Sequence, residues 1–234
     1  MPSQKVELLN NELYHVVLRS VGDTIVFKDI NDYYRGIFSI YELNTKDLVT
    51  IRERRKTRLE QKKTNRGPTP DTRDKFVEVL AFCFMPNHIH LLLKQLKDSG
   101  ISQFMQKVGT GYAVYFNNKY NRKGHLFNRF KAVHIKTNDQ FKNTFVYIHI
   151  NPTDLIESGF KEKGVKNPKK VISFLENYKW SSYQDYLGRK NFPSVTVRDF
   201  LLNVMGGENG CREAVEDWIK HKGEISQFSN IILE

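Results

Sequence analysis

Cysteine is scarce in this chain. Cys83 and Cys211 are the two present in 234 residues, far apart, and they form neither a disulfide framework nor a cysteine metal site. Cys83 sits inside an apolar run, Ala81-Phe82-Cys83-Phe84, and reads as a buried thiol. Long hydrophobic runs are missing too: no stretch approaches the length of a membrane span. The polar segment Met1 to Asn11 has no apolar centre of the kind a secretory leader needs. The expectation is a reduced, soluble, cytoplasmic protein with no membrane partner. Internal repeats and low-complexity tracts are also lacking. Negative charge is in deficit, with 26 Asp and Glu against 37 Lys and Arg, a net charge of +11. That balance points to a polyanionic partner. At 39% hydrophobic the chain has the apolar residues for a core, in one large domain or in a domain with an extension.

What is present follows two periods. Leu13 to Val21 is β-branched and aromatic and predicts a first strand. Ile30, Tyr34, Ile37, Phe38 and Tyr41 recur at helical spacing. From about residue 48 to 75 the chain is strongly basic, with Arg54 and Arg55 among its cations, and then reaches the breakers Gly67-Pro68 and Pro70; it reads as an exposed basic helix and loop. Val77 to Phe84 predicts a central strand, paired as a hairpin across Met85-Pro86-Asn87 with His88 to Lys94. Ile101, Phe104, Met105, Val108, Tyr112, Tyr115 and Phe116 form the stripe of a helix. Lys131 to Lys136 predicts a strand, and Asn138 to Ile150 a helix with Asn138 as its N-cap. Strand, helix, strand, strand, helix, strand, helix is the split βαβ order of an α+β, ferredoxin-like antiparallel sheet with helices on one face. The boundaries expected are a catalytic domain at 1–158 with its basic insertion at about 48–75. A helical C-terminal extension follows at 159–234, with short helices at Val171 to Tyr178, Val195 to Met205 and Arg212 to Lys220.

Within this frame one run carries chemistry. Side chains alternate along a strand, so His88 and His90 share a face while Ile89, Leu91 and Leu93 take the other. Two imidazoles on a stiff strand make half of a divalent-metal site, and the histidine face would be left free for substrate. The pattern alone is weak, since seven histidines give a chance His-x-His in roughly one chain in five. A second element strengthens it. Tyr147 and Asn151 lie four residues apart, on one face of the last core helix, while Phe141, Phe145 and Ile148 define another face suited to the core. Tyr147 and Asn151 therefore need not be buried. Pro152 places the Asn151 amide at the helix end. Lys119, Arg122, Lys123, Arg129 and Lys131, interleaved with Tyr120, His125, Phe127 and Phe130, suit a nucleic-acid strand: cations for phosphates, rings for bases. The same residues also fit a basic loop whose aromatics anchor it to the core.

The run Phe84 to Leu93, together with Tyr147-Ile148-His149-Ile150-Asn151-Pro152, resembles the single-tyrosine HUH transposases of the insertion-sequence type. Within them the chain is most similar to the REP-associated tyrosine transposases (RAYT-like). Further matches are Tyr115-Phe116-Asn117, Tyr120 to Phe127, Arg129-Phe130-Lys131 and Trp180-Ser181-Ser182-Tyr183. The resemblance implies that His88, His90 and Asn151 hold Mg²⁺ or Mn²⁺ and that Tyr147 is the nucleophile. It implies attack on single-stranded DNA bearing hairpins or palindromic repeats, through a 5′-phosphotyrosine intermediate that is later rejoined. The enzyme would be nucleoid-associated and act as a monomer or homodimer. Arg54 and Arg55 join the loop cations Lys119, Arg122, Lys123, Arg129 and Lys131, with Tyr120 and His125, as candidate DNA contacts. Two other readings stay open: a domesticated hairpin-binding protein that does not cut, and a metal phosphodiesterase that uses water in place of tyrosine.

Overall fold

Alternation along the first strand sorts the whole molecule into two cores. In the computed structural model, which describes residues 6–50, 53, 54, 56, 59, 60 and 71–221, strand β1 (Leu13–Arg19) sends Tyr14, Val16 and Leu18 to one side of the sheet. It runs antiparallel to β3 (His88–Gln95) on one flank and to β4 (Lys131–Ile135) on the other. Strand β2 (Val77–Met85) completes the sheet beside β3, in the order β2-β3-β1-β4. The β2–β3 hairpin closes across Pro86 and Asn87, with Met85 opposite His88. That turn is pinned from outside: Val26 and Phe27 both donate backbone N–H groups to the Pro86 carbonyl, and Ser20 donates to that of Asn87.

Two helices cover the first face. Helix α1 (Ile30–Glu42) opens with a reciprocal cap, Asp29 accepting from the Asn31 and Asp32 amides while Asp32 accepts from that of Asp29. Gly36 is required there, because a Cβ on it would come within 2.5 Å of the Phe84 ring. Helix α2 (Gly100–Lys119) lays its apolar stripe on the same face, with Phe104, Val108, Tyr112 and Phe116 buried. The split βαβ order and the antiparallel sheet are as the sequence predicts.

The histidine face is not left open. Helix α3 (Asn138–Ile150) packs on it with Phe141, Phe145 and Ile148, and the C-terminal helices α4 (Pro168–Asn177), α5 (Asp199–Met205) and α6 (Gly207–His221) share that core through Val171, Leu175, Leu201, Cys211 and Val215. The segment after α4 also pairs with the sheet edge. Phe84 donates its N–H to the Trp180 carbonyl at 2.8 Å, and Ser182 donates to that of Phe82 at 3.0 Å. Edge strands need such cover, since their unpaired backbone groups otherwise invite association. Cys83 is fully buried beneath this segment, as expected. At α3 the cap is Thr137, whose hydroxyl accepts from the Gln140 amide, not Asn138 one residue later. The predicted basic helix and loop of 48–75 lies for the most part outside the described residues. Among those described, no helix is long and apolar enough to cross a membrane.

Candidate active site at the histidine pair

Strand pairing assembles the site. On the sheet face opposite α1 and α2, His88 and His90 project from β3, with ring centroids 4.8 Å apart. The β1 register sets Arg19 opposite His88 and Val17 opposite His90. His15, two residues along β1 on the same face, brings its Nε2 to 3.0 Å from Nδ1 of His90. Helix α3 delivers Tyr147, whose ring centroid lies 5.7 Å from those of both His90 and His15, edge to face. The phenol ring and His90 thus meet within one chain.

The second nitrogen of each imidazole is committed by its neighbour. The Asn87 side-chain oxygen accepts from Nδ1 of His88 at 2.6 Å, which leaves Nε2 of that neutral ring as the basic nitrogen. His15 does the same for His90 when it accepts the Nδ1 proton. Metal-binding histidines ordinarily use their far N–H in this way, fixing tautomer and ring orientation. His90 is fully buried, and its Nε2 has no hydrogen-bond partner among the described residues. An orphaned buried nitrogen costs about 1–3 kcal/mol, which a ligand offsets. Burial lowers the His90 pKa well below the usual imidazole value, and the nearby His88, His15, Lys161 and Arg19 push the same way.

Asn151, at the end of α3, donates its side-chain amide to the Tyr147 carbonyl at 2.8 Å, so its carbonyl oxygen is the atom available as a ligand. Tyr147 is 1% exposed and Asn151 2%, contrary to the expectation that they need not be buried. The C-terminal helices, far off in sequence, close over that side. The Tyr147 hydroxyl accepts from Lys161 Nζ at 3.3 Å, and this ammonium lies 5.0 Å from the ring centroid. Among the described residues no three His, Cys, Asp or Glu side chains are grouped to hold an ion. The histidine pair offers two imidazole nitrogens to a divalent cation, and the Asn151 amide oxygen is the third donor that the resemblance implies. Such an open sphere suits Mg²⁺ or Mn²⁺ completed by phosphate oxygens and water.

His149 belongs to the core. Its Nε2 pairs with Ser182 Oγ at 2.8 Å, its ring packs on Phe145 and Tyr183, and burial pulls its pKa down to about 3. Tyr112 and Tyr115 are structural as well, their hydroxyls donating to the Val26 carbonyl and to Asp32. Trp180 stacks on Tyr33 with centroids 4.6 Å apart and docks the C-terminal segment.

The expected DNA contacts divide. Lys119 Nζ binds both Asp29 and Asp32 at 2.7 Å, and the Tyr120 hydroxyl donates to Asp32 at 2.7 Å. Arg122 braces its own loop through Asn117 and the carbonyls of Gly124 and His125. Arg54 stands 4.0 Å from Glu42, and Arg55 lies outside the described residues. Lys123, His125, Arg129 and Lys131 are exposed. Sequence reasoning missed His15 and Lys161. His15 had a signal, since it shares the Leu13, Val17 and Arg19 side of a strand that a ferredoxin-like order places beside the histidine strand. Lys161 had none.

Against known proteins, residues 39–151 match the family model described as "Transposase IS200 like". No curated protein matches. Among solved structures, the chain is similar to a REP-associated tyrosine transposase bound to a REP hairpin, at 13% identity and a TM-score of 0.48, covering 85% of this chain and 93% of that one. It is similar also to a bacterial tRNA(His) guanylyltransferase (Thg1)-like protein in complex with ATP, at 13% identity and a TM-score of 0.43, covering 92% and 93%. Two such unlike proteins at comparable scores say nothing of the chemistry. Over residues 39–151, just under half of its length, this chain thus carries the sequence pattern of the IS200-like transposase family.

Proposed function

We propose that the protein nicks and rejoins single-stranded DNA, with Tyr147 as nucleophile and His88, His90 and Asn151 as ligands of Mg²⁺ or Mn²⁺. The observation that carries this reading is the meeting of the Tyr147 ring with His90 within one chain, beside the His90 Nε2 that has no hydrogen-bond partner among the described residues. It supports a tyrosine that serves its own subunit. The cation, when bound, would polarise the scissile phosphate and stabilise its developing charge. The chain's own residues do the rest. Asn87 and His15 hold the imidazoles in orientation, and α3 presents the phenol beside them. Attack by the phenol oxygen forms a 5′-phosphotyrosine bond and releases a 3′-hydroxyl. A 3′-hydroxyl then reverses the step on the same or another strand, and the covalent bond conserves the phosphodiester energy. Lys123, His125, Arg129 and Lys131 are the DNA contacts we assign, in strands carrying hairpins or palindromic repeats. Lys119, Tyr120 and Arg122 serve the fold.

The burial of Tyr147 favours a second reading, a hairpin-binding protein that does not cut, because a phosphate needs access to that oxygen. The two separate on a denaturing gel. Labelled hairpin DNA with randomised single-stranded flanks, incubated with Mn²⁺, should yield a covalent adduct that Tyr147→Phe abolishes. Tight binding with no adduct selects the binder. Cleavage that survives Tyr147→Phe selects a water-using phosphodiesterase.

A further inference from the structure

We propose that Lys161 is a catalytic residue of that reaction: its ammonium stabilises the negative charge on the Tyr147 oxygen whenever the oxygen–phosphorus bond forms or breaks. This rests on the reading of Tyr147 as nucleophile. Lys161 lies beyond the residues that match the transposase family, so the assignment comes from the geometry of this chain.

Three observations support it. Lys161 Nζ donates to the phenol oxygen itself, and the same ammonium sits 5.0 Å from the ring centroid, so it addresses the reacting atom and not merely the helix. At 3.3 Å the contact is long, as catalytic hydrogen bonds often are before substrate arrives. The backbone that carries Lys161 is held in place. Phe160 beside it is buried and packs against Trp218 at 5.8 Å, and the short turn Phe160–Lys163 is bounded by Gly159 and Gly164, both in the left-handed region at φ 72° and 73°. Finally, Lys161 is half-buried while the phenol is fully buried, so the residue that contacts the oxygen is itself open to solvent in part.

The role is electrostatic. An ammonium has no lone pair with which to take the phenolic proton, but it can donate to the oxygen as charge develops there. In the forward step the Tyr147 oxygen–phosphorus bond forms, the bond from phosphorus to the 3′-oxygen breaks, and the phenolic proton passes to solvent while the 3′-oxygen leaves protonated. In the reverse step the 3′-hydroxyl attacks, the electron pair of the breaking bond stays on the Tyr147 oxygen, and that oxygen regains a proton. Lys161 faces the same charge in both directions.

The test uses the full chain and the hairpin DNA, drawn from the randomised-flank pool, on which the native protein forms most adduct. Single-turnover cleavage and rejoining are timed for Lys161→Met, which keeps the stem and loses the charge, and for Lys161→Arg. Both rates should fall about a hundredfold in Lys161→Met, the loss seen when one preorganised donor is removed. The fraction of adduct at equilibrium, the hairpin affinity and the melting temperature should stay near native, and Lys161→Arg should recover most of the rate. Native rates in Lys161→Met overturn the proposal. So does a rate loss that tracks a fall in melting temperature and that neither Lys161→Arg nor added ethylammonium reverses. Absence of adduct with the native protein overturns instead the reading of Tyr147 on which this one stands.

Discussion

His15 and His90, 75 residues apart in sequence, pair side chain to side chain at 3.0 Å in the middle of the sheet, where both are fully buried. The contact couples the tautomers of the two rings, one nitrogen donating and the other accepting. When His90 Nδ1 donates to His15 Nε2, the far nitrogen of His90 keeps its lone pair for a ligand. Removing the acceptor should weaken Mn²⁺ binding about 10–100-fold, the usual cost of losing such a supporting partner. We expect this for His15→Ala in a titration followed by electron paramagnetic resonance, with a smaller loss for His15→Gln, whose amide oxygen still accepts. Equal affinity in all three proteins would remove His15 from the site.

The loop cations should separate into two kinds. Lys123 and Arg129 are exposed, and alanine at either should weaken hairpin binding and reduce the slope of log affinity against log salt by about one. Lys119 is bound to Asp29 and Asp32, so Lys119→Met should lower the melting temperature and leave the salt slope alone. A slope that changes for Lys119→Met and not for Arg129→Ala would reverse the assignment.

Asp32 anchors that corner of the fold. Its carboxylate has no exposed side-chain surface and binds Lys119, Tyr115, Tyr120 and the amides of Lys28 and Asp29. Burial pushes its pKa up, but the hydrogen bonds from Lys119, Tyr120, Lys28 and Tyr115 outweigh this and hold it below the usual carboxylate range. A carboxyl group with a lowered folded-state pKa adds stability above its unfolded value and loses it as pH falls through that value toward the folded one. Asp32→Asn should therefore cost about 1–3 kcal/mol near neutrality, because the donors gathered on the carboxylate lose their charged acceptor while Lys119 keeps Asp29. Its melting temperature should also fall less than the native one between pH 5 and about 3, the range below the ordinary carboxylate pKa. Parallel acid limbs in thermal melts of the two proteins would contradict this.

Local pattern and long-range contact explain what the sequence did and did not disclose. The shared face of His88 and His90 follows from strand alternation alone, and the stripe from Ile101 to Phe116 from helical period alone. The contact of His15 with His90 needs β1 to pair with β3, a non-local register. Burial of Tyr147 and Asn151 depends on helices that follow them in the chain and cover the histidine face. The ion pairs of Lys119 reach back 87 and 90 residues to α1, so its charge read as a surface feature. Lys161 stands in a four-residue turn with no periodic signature.

The cover over the histidine face makes a prediction about folding. We propose 1–158 as the catalytic part and 159–234 as an extension, yet the two share one core. Tyr178, Tyr183, Tyr186 and Leu187 are buried there with Leu80, Cys83 and Phe145, and Tyr178 donates to the Phe84 carbonyl at 2.7 Å. A fragment ending at residue 158 should expose this apolar face and lack a cooperative thermal transition. Full secondary structure with a sharp melt in that fragment would show that the extension is dispensable for folding.

The field around His90 yields a last expectation. The cations Lys161 and Arg19 both disfavour positive charge at that ring. A divalent cation entering alone meets the same opposition, whereas a phosphate beside it supplies compensating negative charge. Cation and DNA should therefore bind with positive coupling, of the order of 5–150-fold, and the factor must be the same whichever is titrated first. In Tyr147→Phe, which holds the substrate uncut, Mn²⁺ affinity should rise by this factor when the hairpin is saturating, and hairpin affinity should rise equally when Mn²⁺ is saturating. His88→Ala should remove the coupling while leaving most of the metal-free hairpin affinity, because phosphate contacts elsewhere supply the latter. Independent binding of the two in Tyr147→Phe would mean that the cation and the scissile phosphate do not share this site.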